Sequence, residues 1–148
     1  MSHTYADLLY HVVFSTKGRA PLISGPLAER LPAYLGGIIR GLDGEPLAVS
    51  GTRDHVHLLI ALPATTCVAD ALRVLKANSS RWANHTPGLP AGFAWQTGYG
   101  AFSVSESNRE DVRSYIRAQE GHHRKMSFED ELRLLLQKHN VDFDPRFL

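Results

Sequence analysis

The chain has 148 residues, 43% hydrophobic and 21% charged, with 16 Lys+Arg against 15 Asp+Glu and a formal net charge of +1. That size and apolar content predict one domain over residues 1–148 with a true core, and exclude a disordered chain. The lone Cys67 excludes an internal disulfide framework and a cysteine-cluster zinc site.

No apolar run approaches the roughly 18 residues of a membrane span. The N-terminus, with His3, Tyr5 and Asp7, lacks a basic stretch followed by an apolar one. A cytoplasmic protein with no membrane partner is therefore expected. The near-zero total charge argues against nucleic acid as the first guess for a partner, because such binders usually carry a basic excess.

In chain order, residues 8–15 read as a strand, rich in β-formers through Val12, Val13 and Phe14. Ser24, Gly25 and Pro26 open a helix on which Leu27, Leu31, Leu35 and Ile38 recur at helical spacing. Pro32 is expected to bend it. Residues 47–50 and 55–62 read as two strands joined by the turn 51–54. Val68, Leu72, Leu75 and Trp82 mark one face of a second helix over 67–84.

A loop rich in Pro and Gly precedes a last strand within 98–105. Ser107 and Glu110 have capping-box spacing for a third helix to about residue 123. Phe128, Leu132, Leu135 and Leu136 stripe a fourth. The series βαββαβ plus two helices predicts an α+β, ferredoxin-like antiparallel sheet with its crossover helices on one face. The other face stays open unless the added helices or a partner cover it.

The sharpest local feature is Asp54-His55-Val56-His57-Leu58. On a strand, His55 and His57 project to one face about 7 Å apart, while Val56, Leu58 and Ile60 face the core. Two imidazoles so placed suit a single divalent ion; an amphipathic strand with two surface histidines has the same pattern. On the third helix Tyr115 and Gln119 stand at i,i+4. If that helix packs on the open face, the Gln119 amide oxygen can complete a metal triad with Tyr115 one turn away. Ordinary half-buried packing gives the same spacing.

Four segments in order carry a resemblance. Residues 10–17 (Tyr10-His11-Val12-Val13-Phe14-Ser15-Thr16-Lys17), His55-Val56-His57, residues 95–105 and Tyr115-Ile116-Arg117-Ala118-Gln119-Glu120 with His122-His123-Arg124-Lys125 resemble the single-tyrosine HUH transposases. These are small transposases of insertion sequences that move as single-stranded DNA. The likeness runs over nearly the whole chain. It implies that Tyr115 attacks a phosphodiester, leaving a 5′-phosphotyrosine and a free 3′-hydroxyl. His55, His57 and Gln119 would hold a divalent ion.

Imidazoles alone favour zinc or a late transition metal, whereas the resemblance implies Mg²⁺ or Mn²⁺. It also implies single-stranded DNA hairpins as substrate and a homodimer sharing its sites. A domesticated relative acting on chromosomal repeat hairpins would use the same residues. A non-catalytic ferredoxin-like nucleic-acid-binding module would leave the histidines incidental.

Position by position, the charge is segregated. Residues 71–105 hold Arg73, Lys76 and Arg81 and no acid, and residues 11–25 hold Lys17 and Arg19 and no acid. Arg117, Arg124 and Lys125 follow Tyr115, while Glu129-Asp130-Glu131 forms an acidic cluster. The basic residues are candidate phosphate contacts, and each also fits a solvated helix face. Phe93, Trp95 and Tyr99 are candidates for stacking on bases. Trp82 and Cys67 read as packing residues.

Overall fold

A computed structural model describes residues 3–119 and 126–148. Four strands, β1 (Leu9–Ser15), β2 (Glu45–Gly51), β3 (His55–Ala61) and β4 (Gly100–Val104), form one sheet in the order β2-β3-β1-β4. Every pairing is antiparallel. The connections between β1 and β2, and between β3 and β4, carry α1 (Gly25–Gly41) and α2 (Val68–His85). This is the expected βαββαβ arrangement.

Strand alternation sorts the side chains into two layers. Val12, Phe14, Val56, Leu58 and Ile60 point to one face and bury against Leu27, Leu31, Leu35 and Ile39 of α1 and Leu72 and Leu75 of α2. Each such side chain, lifted from water, contributes about 1.5–3 kcal/mol. Pro26 opens α1 where its missing N–H costs nothing, and α1 continues through Pro32 as one helix.

The other face does not stay open. α3 (Arg109–Arg117) places Val112 and Ile116 over Leu9, Leu47 and Leu59. α4 (Phe128–Lys138) places Phe128, Leu132 and Leu136 over Val13 and Phe102. The sheet is thus a central layer between α1/α2 and α3/α4, with the histidine strand covered on both sides.

Three local expectations change. The Ser107–Glu110 capping box does not form: Ser107 Oγ pairs with Ser105 Oγ at 3.0 Å, and Asn108 precedes α3 without a side-chain cap. α3 ends at Arg117, short of residue 123. Cys67 is exposed and caps α2, its Sγ accepting from Asp70 N at 3.5 Å, where a packed thiol was expected.

One turn ties the fold to the site. A Cβ on Gly51, just before the β2–β3 turn, would lie 2.5 Å from the His55 carbonyl oxygen. One on Gly37, exposed on α1, would meet nothing within 4 Å. Gly51→Ala is therefore expected to cost about 1–3 kcal/mol by chemical denaturation. Gly37→Ala should be neutral or stabilising by up to about 1 kcal/mol. Equal effects of the two would contradict this reading of the turn.

Candidate functional site between the sheet and the C-terminal helices

His55 and His57 do lie on one face of β3, and α3 and α4 close over them. His57 pairs in register with Val13, which makes His11, two residues back on β1, its diagonal neighbour. The three imidazoles are buried, at 4% exposure for His11, 1% for His55 and 0% for His57. They are not surface histidines.

Each ring has a defined partner. His55 Nδ1 lies 2.7 Å from Asp54 Oδ1 and 2.9 Å from Thr52 Oγ1. The Thr52 hydroxyl also donates to Asp54 Oδ1, at 3.1 Å. His57 Nδ1 lies 2.8 Å from His11 Nε2. Burial first, and then the neighbouring His57, lower the pKa of His11 to about 3, so it is a neutral imidazole. A neutral ring can either donate to or accept from His57.

Both Nε2 atoms turn toward one carboxylate. Glu131 Oε1 stands 2.7 Å from His57 Nε2 and 3.8 Å from His55 Nε2. Its other oxygen, Oε2, accepts a hydrogen bond from the Tyr115 hydroxyl. Glu131 is 3% exposed. Ser127 caps α4 by accepting from Asp130 N at 3.2 Å, which fixes the first turn that delivers Glu131.

Tyr115 is half-buried, and its pKa is raised: burial penalises the phenolate, and the Glu131 carboxylate adds to this by hydrogen bond and by charge. A hydrogen bond from the Gln119 side chain pulls the other way. Gln119 is fully buried, and its Nε2 also donates to the Tyr115 carbonyl at 3.3 Å. A cleft of about 880 Å³ between α3 and α4 is lined by His11, Tyr115 and Glu131, with Lys138 and His139 also on its wall.

The donor chemistry fits a divalent cation. One nitrogen each from His55 and His57 and one oxygen from Glu131 lie within 4.8 Å of one another. The second nitrogen of each ring is held by Asp54 or by His11, the kind of outer contact that orients a metal-binding imidazole. Glu131 brings a negative charge that the His55, His57 and Gln119 set lacks.

Tyr115, His55 and His57 meet around Glu131, and Gln119 is buried beside Tyr115. Glu131, His11 and Asp54 are additions. Sequence reading grouped Glu131 with Glu129 and Asp130 as an acidic cluster, yet it sits three residues after Phe128 and four before Leu135, on the apolar stripe of α4. A charge on that stripe was the available signal.

The basic candidates do not converge. Lys17 is exposed in the loop after β1, and Arg73 and Arg81 are exposed on α2, on the far side of the sheet from the histidines. Lys76 donates to the Gly98 carbonyl at 2.6 Å and lies over the rings of Phe14 and Tyr99. Arg19 pairs with Glu129 at 3.2 Å and donates to the Leu148 carbonyl. Arg117 is exposed beside Tyr115 in sequence. Arg124, Lys125, His122 and His123 lie outside the described residues.

Phe93 and Trp95 are core, not base-stacking, residues. Their rings meet edge-to-face at 4.7 Å, and Trp95 Nε1 donates to Ser79 Oγ at 2.9 Å. Tyr99 is 41% exposed. Trp82 is half-buried and stacks on Tyr34 at 4.2 Å.

A four-stranded antiparallel sheet carrying a histidine pair under a tyrosine helix defines a transposase fold, and residues 4–119 match the family described as Transposase IS200 like. The chain belongs to that family, whose members cut and transfer DNA strands in transposition. It is 28% identical over 118 residues to ISDra2 transposase TnpA of Deinococcus radiodurans, covering 76% of this chain and 84% of that one. The crystal structure of a putative transposase from Deinococcus radiodurans R1 superposes with a TM-score of 0.62 at 26% identity, over 80% of this chain and 95% of the other. A REP-associated tyrosine transposase bound to a REP hairpin shares the fold, with a TM-score of 0.58 at 15% identity over 80% and 70% of the two chains. No helix among the described residues is long and apolar enough to cross a membrane.

The cluster makes a direct prediction about cation binding. Mn²⁺ or Mg²⁺ at about 100 times its dissociation constant should stabilise the protein by about 2.7 kcal/mol, read as a rise in Tm. His57→Ala should remove that increment whatever it does to the metal-free Tm. An undiminished increment in the variant would place the cation elsewhere.

Proposed function

We propose that the protein cuts and rejoins single-stranded DNA next to a hairpin, with Tyr115 as nucleophile and a divalent cation held by His55 and His57. The observation that carries this reading is the meeting of the Tyr115 hydroxyl with the buried histidine cluster of β3 at one carboxylate. An attacking oxygen beside a cation-binding group suits metal-assisted phosphoryl transfer. Membership of the family supports the reaction class, and the hairpin bound by the REP-associated neighbour supports the substrate.

In this reading Tyr115 Oη attacks the scissile phosphorus from the α3–α4 cleft. A P–Oη bond forms, the P–O3′ bond breaks, and the chain keeps the 5′-phosphate while the 3′-hydroxyl departs. The phosphotyrosine retains the bond energy of the phosphodiester, so rejoining needs no nucleotide cofactor. Asp54 and Thr52 orient His55, and His11 orients His57. A bound Mg²⁺ or Mn²⁺ supplies charge neutralisation and orientation of the phosphate. Gln119, buried against Tyr115, is the further oxygen donor that the family resemblance assigns, and Glu131 lies within the same reach.

Phosphate contacts from Lys17, Arg73, Lys76, Arg81 and Arg117 are part of this reading, with Arg19 available only by leaving Glu129. So is a homodimer in which subunits share their sites.

Incubation with a hairpin-bearing single-stranded oligonucleotide and Mn²⁺ or Mg²⁺ should give a covalent protein–DNA band on a denaturing gel. Tyr115→Phe is expected to abolish the band while oligonucleotide affinity stays within about twofold; a persistent band would move the nucleophile elsewhere. Chelation by EDTA should likewise stop band formation, and a band unaffected by it would remove the cation from the mechanism. Gln119→Ala should raise the cation concentration needed for cleavage more than it weakens DNA binding. An unchanged cation requirement would deny Gln119 its ligand role.

A further inference from the structure

The nucleophilic reading of Tyr115 leaves its proton unassigned, and the inference that follows rests on that reading. A phenol becomes a competent nucleophile only as its proton departs to a base within hydrogen-bond reach. Gln119 is an amide and takes no proton at neutral pH. His11 is committed through Nε2 to His57, and its ring centre lies 6.1 Å from that of Tyr115. Among the described residues, the carboxylate that accepts directly from the Tyr115 hydroxyl is Glu131, through Oε2.

Two further observations single out this carboxylate. It occupies an inward, buried position of α4, on the stripe that carries Phe128, Leu132 and Leu135. Its two oxygens are also divided, Oε1 toward His57 and His55 and Oε2 toward Tyr115. It lies beyond residues 4–119, the span that matches the family.

We propose that Glu131 is the catalytic residue that takes the proton of Tyr115. As the P–Oη bond forms, the phenolic proton passes to Glu131 Oε2. The P–O3′ bond breaks with its electron pair left on the 3′ oxygen, which takes a proton from water. Glu131 then returns its proton to the hydroxide so formed. Net, one proton has moved from the phenol to the 3′-hydroxyl, and total charge is unchanged. In rejoining the steps reverse: the attacking 3′-hydroxyl gives up its proton, through water, to Glu131, which passes it to the departing Tyr115 oxygen.

The test is single-turnover formation of the covalent adduct by the full chain, with a hairpin-bearing single-stranded oligonucleotide at the Mn²⁺ concentration that saturates the wild type. Glu131→Gln, nearly the same shape, should slow the adduct by about 10²–10⁴-fold, the usual loss of a general base. Replacing Tyr115 by 3,5-difluorotyrosine, whose more acidic phenol leans less on a base, should recover at least about tenfold of that loss. The same replacement beside intact Glu131 should change the rate by less than about threefold.

Glu131→Asp keeps a carboxylate and, compared at equal folded fraction, should exceed Glu131→Gln. A full rate in Glu131→Gln, the reverse order of the two variants, or a loss cured by more Mn²⁺ but not by difluorotyrosine would overturn the proposal. The last result would make Glu131 a cation ligand only. No adduct from the wild-type chain overturns the nucleophilic reading as well; a wild-type adduct with an unimpaired Glu131→Gln overturns this inference alone.

Discussion

The carboxylate of Glu131, 3% exposed and set between His57 and Tyr115, is the contact on which the α3/α4 layer depends. A buried carboxylate without partners costs several kcal/mol, so α4 can lie on the sheet only where Glu131 finds donors. Those donors come from β3 and from α3. The apolar contacts of Phe128, Leu132 and Leu136 with Val13 and Phe102 press α4 onto the sheet. The polar contact decides its register there, because a shift of one residue would bury the charge unpaired.

This arrangement also explains why three histidines are buried. β1 and β3 are central strands, so their residues on the α3/α4 face are buried once the helices dock. His11 tolerates that burial as a neutral ring, its pKa lowered first by desolvation, with Nε2 paired to His57 Nδ1. A hydrogen-bonded chain then runs from His11 through His57 and Glu131 to Tyr115, and His55, held by Asp54, stands 3.8 Å from the same carboxylate. Low local dielectric strengthens every link of it and makes each costly to break.

Much of this was legible in the residues. Alternation along β3 predicted which face carried His55 and His57, because Val56, Leu58 and Ile60 could only face the core. The i,i+4 pair Tyr115 and Gln119 survives even though α3 ends at Arg117 between them. Glu131 was missed because composition grouped it with Glu129 and Asp130, whereas its position on the apolar stripe of α4 sets it apart. Phe93 and Trp95 were misread for the opposite reason. Pro and Gly around them signal a loop, yet Thr16 pairs with Trp95 and folds that loop back over the core. Local patterns cannot register such tertiary contacts, nor that Arg19 would be engaged by Glu129 and Leu148.

If Tyr115 Oη is the nucleophile, it is also the point at which DNA becomes attached, and that attachment point is the most direct test. Tandem mass spectrometry of the protease-digested protein–DNA adduct should find a nucleotide 5′-phosphate on the peptide that contains Tyr115, fragmenting at the phenolic oxygen. A nucleotide mapped to Tyr10, Tyr99 or any other side chain would contradict the account.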